Sequence, residues 1–212
     1  MLELQCSANH TPPMRFPVVV NGEPMPAECG FATLADLKVV TGWARSGQAS
    51  REPADQDAAE FAGLACKRWR FYRRAGRFAR SMNDVRDIVS ASPDAEFALL
   101  LVARTDWSPR AQLGVCLCRR TWSNSLCVDF PAVAPENAAP QNRNMGGVGR
   151  GLLYFVTEIA ETIRARNIWG EATSLSAPAY RHMFEQADID DFFRLPRPAY
   201  RRFRARVKAG RD

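Results

Sequence analysis

The run Asn144-Met145-Gly146-Gly147-Val148-Gly149-Arg150-Gly151 is followed at once by an amphipathic stretch. Glycines leave backbone N–H groups unshielded. Aligned N–H groups at a helix start, backed by the helix dipole, hold a phosphate or pyrophosphate. Glycine also marks ordinary loops, so the turn gains meaning only from its surroundings. Upstream lies a strand-like run, Leu126-Cys127-Val128-Asp129-Phe130, leading into Ala132, Val133, Ala134 and Pro135. Two other phosphate-binding patterns do not fit. A P-loop needs Lys and then Ser or Thr after its last glycine, where this chain has Leu152 and Leu153. The dinucleotide fingerprint needs Gly-x-Gly-x-x-Gly directly after a strand, but the spacing here is Gly147-x-Gly149-x-Gly151, behind a polar loop.

Strand, glycine turn and helix in that order resemble motif A of the GNAT superfamily of N-acetyltransferases, whose signature is Arg/Gln-x-x-Gly-x-Gly/Ala. Here it reads Asn144-x-x-Gly147-x-Gly149, with Arg143 one residue out of register. Arg150, Gly151, Leu152 and Leu153 continue the pattern, and the resemblance spans residues 96–193. It implies an α/β (α+β) fold with a GNAT-like mixed, mostly antiparallel central sheet and helices on both faces. It also implies acetyl-CoA as co-substrate. The backbone around Ala132 and Val133 would pair with the pantetheine arm as an added strand does. Asn144, Met145, Gly146, Gly147, Val148, Gly149, Arg150 and Gly151 would hold the pyrophosphate.

Acyl transfer to an amine needs the amine unprotonated, hence a base or a water relay, and often an acid for the departing thiolate. Many GNAT members place that acid as the Tyr of a Tyr-Glu-x-x-Gly-Phe run. The nearest match is Phe184-Glu185-Gln186-Ala187-Asp188-Ile189, and Phe donates no proton. Tyr180 lies one helical turn earlier and would project in a similar direction, although packing against Phe184 is its plainer role. Asp129 sits on the strand that carries a base in some members, while the closest register puts Cys127 at that position. Glu171, at the end of the next strand, is a further carboxylate. The catalytic candidates are therefore Asp129, Glu171 and Tyr180. His182 reads as a surface helix histidine.

The elements that would position these groups follow from periodicity. A short strand at 16–21 and a helix from Leu34 to about residue 46 open the chain. Residues 47–57 read as a loop, and 58–80 as a helix broken near Gly76. A helix at 83–91 follows, then strands at 97–103, 113–119 and 126–130. After the glycine turn come a helix at 148–166, a strand at 168–173, a helix at 178–186, a strand at 191–195 and a basic strand at 200–207. Glu158, Glu161 and Arg164 are placed on the outward face of the long helix. Residues 1–95 supply a first strand and helices, part of the same domain or an elaboration of it. Residues 96–212 form the acyl-CoA-binding core, one domain overall.

Six cysteines are scattered or lie in apolar runs. Cys116-x-Cys118 puts two thiols on one strand face, but no histidine or second close pair completes a metal site, so no metal is expected. No apolar run approaches a membrane span, and the start lacks the pattern of a secretory signal, which together suggest a cytoplasmic protein without a membrane partner. The net charge is +6, concentrated in blocks at 67–80 and 194–211. Such blocks attract CoA phosphates or nucleic acid. Two functions stay open. One is an acyl-CoA-dependent N-acyltransferase acting on a small-molecule, peptide or protein amine. The other is a non-catalytic GNAT-like module that binds acyl-CoA, nucleic acid or a protein partner. A homodimer is left open.

Overall fold

Residues 97–103 are apolar without alternation, which marks a strand covered on both faces. In the computed structural model, which describes residues 13–48, 50–108, 111–138 and 145–210, they form β4 (Phe97–Arg104) at the middle of one sheet. β4 is flanked by β5 (Gln112–Arg120), and β5 in turn by β6 (Leu126–Val133), all antiparallel. On the other side lie β2 (Glu23–Phe31) and β1 (Met14–Val20), and beyond β1 the short β7 (Met145–Gly146). Past β6 the sheet continues with β8 (Asn167–Glu171), parallel to β6, and β9 (Phe192–Pro196). A two-residue β3 (Phe78–Ala79) pairs with β4.

Helices cover both faces. α1 (Leu34–Gln48) and α2 (Pro53–Arg74) lay Leu37, Val40, Trp43, Ala62, Ala65 and Trp69 over Leu100, Val102, Val115 and Leu117. α4 (Val148–Thr162), α5 (Ala177–Phe184) and α6 (Arg197–Lys208) cover Phe97, Leu99, Leu101, Cys116 and Cys118 on the opposite face. α3 (Met82–Ala91) sits at the rim, with Ser81 Oγ accepting from Asp84 N–H at 3.0 Å as its N-cap. The architecture is the expected α/β one, a mixed and mostly antiparallel sheet with helices on both faces. Cys116 and Cys118 do share one strand face, with their sulfurs 3.5 Å apart and both buried. Among the described residues no helix is long and apolar enough to cross a membrane.

Several elements differ from the sequence reading. The expected first strand is half of a hairpin, turned by Asn21 and Gly22 at φ 51° and 89°. Its second half, β2, hides behind Pro24 and Pro26. Those prolines are tolerated because β4 pairs only with residues from Glu28 to Phe31, leaving the proline end with one partner strand. The loop expected at 47–57 ends early, since Pro53 opens α2 at a position where a missing N–H costs nothing. The basic strand expected at 200–207 is instead α6.

Its core contacts, Tyr200, Phe203 and Val207, repeat at helical spacing, and Tyr200 donates from its hydroxyl to the Ala165 carbonyl at 2.9 Å. Of the arginines between them, Arg201 and Arg204 reach to α4. Glu158 and Glu161 are accordingly not outward: Arg204 meets Glu158 at 2.6 Å, and Arg201 and Arg197 meet Glu161 at 2.9 and 3.3 Å.

Candidate active site

The site begins where two parallel strands part. β6 and β8 are joined from Leu126↔Ile168 to Val128↔Gly170, and no further. The cause lies in β6. Val115 faces Ala132 but Leu117 faces Asp129, so Phe130 and Pro131 stand opposite Cys116 alone. Phe130 takes φ 49°, a left-handed conformation unusual for a bulky residue. This bulge bends the strand away from β8. Proline at 131 suits the bend, having no N–H to leave unpaired.

Beyond the bulge β6 keeps its bond to β5. Ala134 N–H donates to the Leu113 carbonyl at 2.8 Å. A Cβ on Gly114 would lie 3.1 Å from the Ala132 carbonyl oxygen, so that oxygen also points at β5. Strand alternation then turns the N–H and C=O of Val133 to the open edge. Of the two expected main-chain contacts, Val133 faces the gap and Ala132 does not.

The glycine turn lies on β1, and the helix it starts reaches β5. Met145 and Gly146 pair with Val20 and Val19 on β1. Gly147 at φ 88° is the N-cap of α4 and offers no side-chain cap, while its carbonyl takes the first helical bond, from Gly151 N–H at 2.9 Å. The N–H groups of Val148 and Gly149 therefore have no partner within the helix. A Cβ on Gly114 would also meet Val148 Cγ1 at 2.7 Å. One residue of β5 thus touches both the first turn of α4 and the open segment of β6. Asn144 lies outside the described residues.

Two of the three catalytic candidates, Asp129 and Glu171, flank the split. Extending the register from Val128↔Gly170 puts Asp129 level with Glu171, one on each side of its mouth. Asp129 lies on the α1/α2 face, as does its β5 partner Leu117. Alternation from the buried Ile168 on the other face gives Glu171 the same side. The two are in different states. Asp129 is held by Arg119, through Nε and through Nη2 at 3.2 Å, and accepts from the Cys127 thiol at 3.0 Å. The hydrogen bond to Asp129 pushes the Arg119 guanidinium above its ordinary value. Burial first, and then Asp129, push the Cys127 thiol up. Glu171 ends its strand exposed to solvent.

Tyr180 lies on the opposite face, buried among aromatic rings. It stacks on Phe184 with centroids 5.8 Å apart and packs against Phe193 at 4.7 Å. Burial, then the neighbouring Cys116, raise its phenol above the ordinary value. Phe184 is wedged between Phe193 and Phe203 at 5.1 and 5.3 Å. His182 is exposed.

Sequence reasoning missed Arg119. An arginine in an apolar strand signals a buried partner, and Asp129 was the carboxylate in reach.

No protein-family profile and no curated protein matches the chain. Among solved structures it is similar to nourseothricin acetyltransferase, with 27% identity over 50% of this chain and 67% of that one, at a TM-score of 0.37. It is similar also to an acetyltransferase of the GNAT family from Staphylococcus aureus Mu50, with 11% identity, 81% and 99% coverage and a TM-score of 0.46. A third is spermidine N-acetyltransferase from Vibrio cholerae in complex with CoA and spermine, with 11% identity, 82% and 97% coverage and a TM-score of 0.46.

Proposed function

We propose that the chain is an acyl-CoA-dependent N-acyltransferase that moves an acetyl group from acetyl-CoA to a primary amine of a small molecule, peptide or protein. The observation that carries this reading is the shared footing on Gly114. There the open Val133 edge of β6 and the uncapped start of α4 lie side by side. An extended amide-bearing arm suits a free strand edge, and a pyrophosphate suits the N–H groups at a helix start. When bound, acetyl-CoA supplies the acyl group as a thioester.

The chain's residues divide the remaining work. Glu171, exposed at the mouth, accepts the amine proton through water. Asp129, neutralised by Arg119, fixes the wall opposite rather than acting as base. Tyr180, buried on the opposite face against Phe184 and Phe193, stays protonated at neutral pH, and the departing sulfur takes its proton from Tyr180 or from water. In balance, the amine nitrogen bonds to the carbonyl carbon and the C–S bond breaks; the ammonium gives up two protons in all, one to solvent through Glu171 and one that ends on the departing sulfur.

The test is CoA release, followed with a thiol reagent across polyamines, aminoglycosides, amino acids and peptides, alongside calorimetry with acetyl-CoA. A second reading, a non-catalytic acyl-CoA-binding module, is favoured by Phe184, which fills the usual acid position with a ring locked in the core. Binding without turnover across that panel selects it.

A further inference from the structure

The two basic blocks are chemically different once folded. On α6, Arg197, Arg201, Arg204 and Arg206 each meet a glutamate. On α2, Lys67, Arg68, Arg70, Arg73 and Arg74 are exposed, and among the described residues none of them pairs with a carboxylate. Arg70 donates instead to Thr41 Oγ1 on α1, at 3.1 Å. Like charges three and four residues apart on a helix repel one another. A favourable helix dipole accounts for Arg73 and Arg74 in the last turn of α2, but not for Lys67 or for Lys38 on α1.

These cations converge. Lys38, Thr41, Arg70, Arg73 and Arg74 line a groove of about 500 Å³ between α1 and α2, with Leu34 and Leu37 as its apolar lining. Beside it Phe71 is 58% exposed, its ring edge-on to Tyr72 at 5.6 Å. The groove is remote from the split between β6 and β8. Phe61 of α2 packs against Phe130 at the bulge, and Arg70 lies further along the same helix by about 14 Å at 1.5 Å per residue.

We propose that this groove binds the sugar–phosphate backbone of a single-stranded nucleic acid. Guanidinium groups match phosphate oxygens in pairs, and their uncompensated charge favours a polyanion over a single carboxylate. From Arg70 to Arg74 the helix advances about 6 Å, enough for its guanidinium groups to reach neighbouring phosphates of an extended strand. An apolar lining accepts sugar and base, and an exposed ring offers a stacking platform that a duplex cannot use. The inference does not rest on the acyltransferase reading.

Fluorescence anisotropy of the full chain with a labelled single strand of about twelve nucleotides tests it. Two double variants carry the same charge change: Arg73→Glu with Arg74→Glu in the groove, and Arg202→Glu with Lys208→Glu on the exposed side of α6. The wild type should bind with an affinity that falls steeply with salt. The groove variant should bind at least about tenfold more weakly with a shallower salt slope, and the α6 variant within about twofold. Circular dichroism and acetyl-CoA affinity should match wild type in both. Equal loss in the two variants would reduce the effect to diffuse charge and overturn the proposal. No binding at physiological ionic strength, or tighter binding of a duplex of equal length, would overturn it as well.

Discussion

Arg119 grips both carboxylate oxygens of Asp129 across the β5–β6 ladder, with Nη2 to Oδ1 at 3.2 Å and Nε on Oδ2. A carboxylate held this way is a structural anion before it is a base. Asp129→Asn removes the charge and leaves a largely buried guanidinium facing a neutral amide. We expect it to cost about 2 kcal/mol of stability, measured by urea unfolding. Turnover per folded molecule should fall less than tenfold. A loss of about a hundredfold with unchanged stability would move the base from Glu171 to Asp129.

Gly149 and Gly151 stand two residues apart and should respond in opposite ways. A Cβ on Gly149 meets nothing within 4 Å, whereas one on Gly151 would fall 2.1 Å from the ring of Phe16. Gly149→Glu should therefore leave the melting temperature unchanged, since an acidic residue in the first helical turn is also favoured by the dipole. Its carboxylate would repel phosphate, so acetyl-CoA affinity by calorimetry should drop beyond detection. Gly151→Ala should destabilise by about 1–3 kcal/mol through overpacking. Equal acetyl-CoA affinity in Gly149→Glu and wild type would remove the pyrophosphate from this turn.

The strands from 97 to 130 and the helix after Gly147 were legible because each buries a patterned face. The bulge at Phe130 was not. Nothing in Asp129-Phe130-Pro131-Ala132 announces a left-handed residue, and the parting of β6 from β8 depends on it. The identity of α6 was hidden for a related reason. Its arginines look like a solvated stripe until Glu158 and Glu161, far away in sequence, supply the opposing charges. Candidate carboxylates could be named from their strands, but which one was free required knowing where Arg119 points.

The α4–α6 clasp predicts an acid limb. Hydrogen bonds from Arg201 hold the Glu161 carboxyl down at about 2, against partial burial that would raise it. A depressed carboxyl stabilises the fold above its unfolded value, about 4.5, and that contribution fades as pH falls towards 2. Wild type should lose stability across that window. Glu161→Gln should be less stable at neutral pH and show a flatter pH dependence between about pH 4.5 and 2. Parallel stability curves for the two proteins would show that the clasp contributes nothing on folding.

The division of labour at the split makes the sharpest prediction. An alkylamine is protonated at neutral pH, with an ordinary pKa near 10.4, so its proton must leave before nitrogen attacks. The thiol that departs has a pKa near 8.5 and needs little help. Loss of the acid should therefore matter less than loss of the base. Tyr180→Phe keeps the ring that stacks on Phe184 and removes only the hydroxyl, so it should cost less than about tenfold in kcat. Glu171→Gln should cost about a hundredfold in kcat/KM with acetyl-CoA affinity unchanged, because the role proposed for Glu171 is towards the amine and not the cofactor turn. Wild-type activity should rise with pH, and the Glu171→Gln deficit should shrink as solvent deprotonates the amine without it. A deficit that stays constant to about pH 9 would assign Glu171 to positioning instead. Acetyl-CoA that binds yet remains unreacted across the whole amine panel at that pH would replace the enzyme reading with the binding-module one.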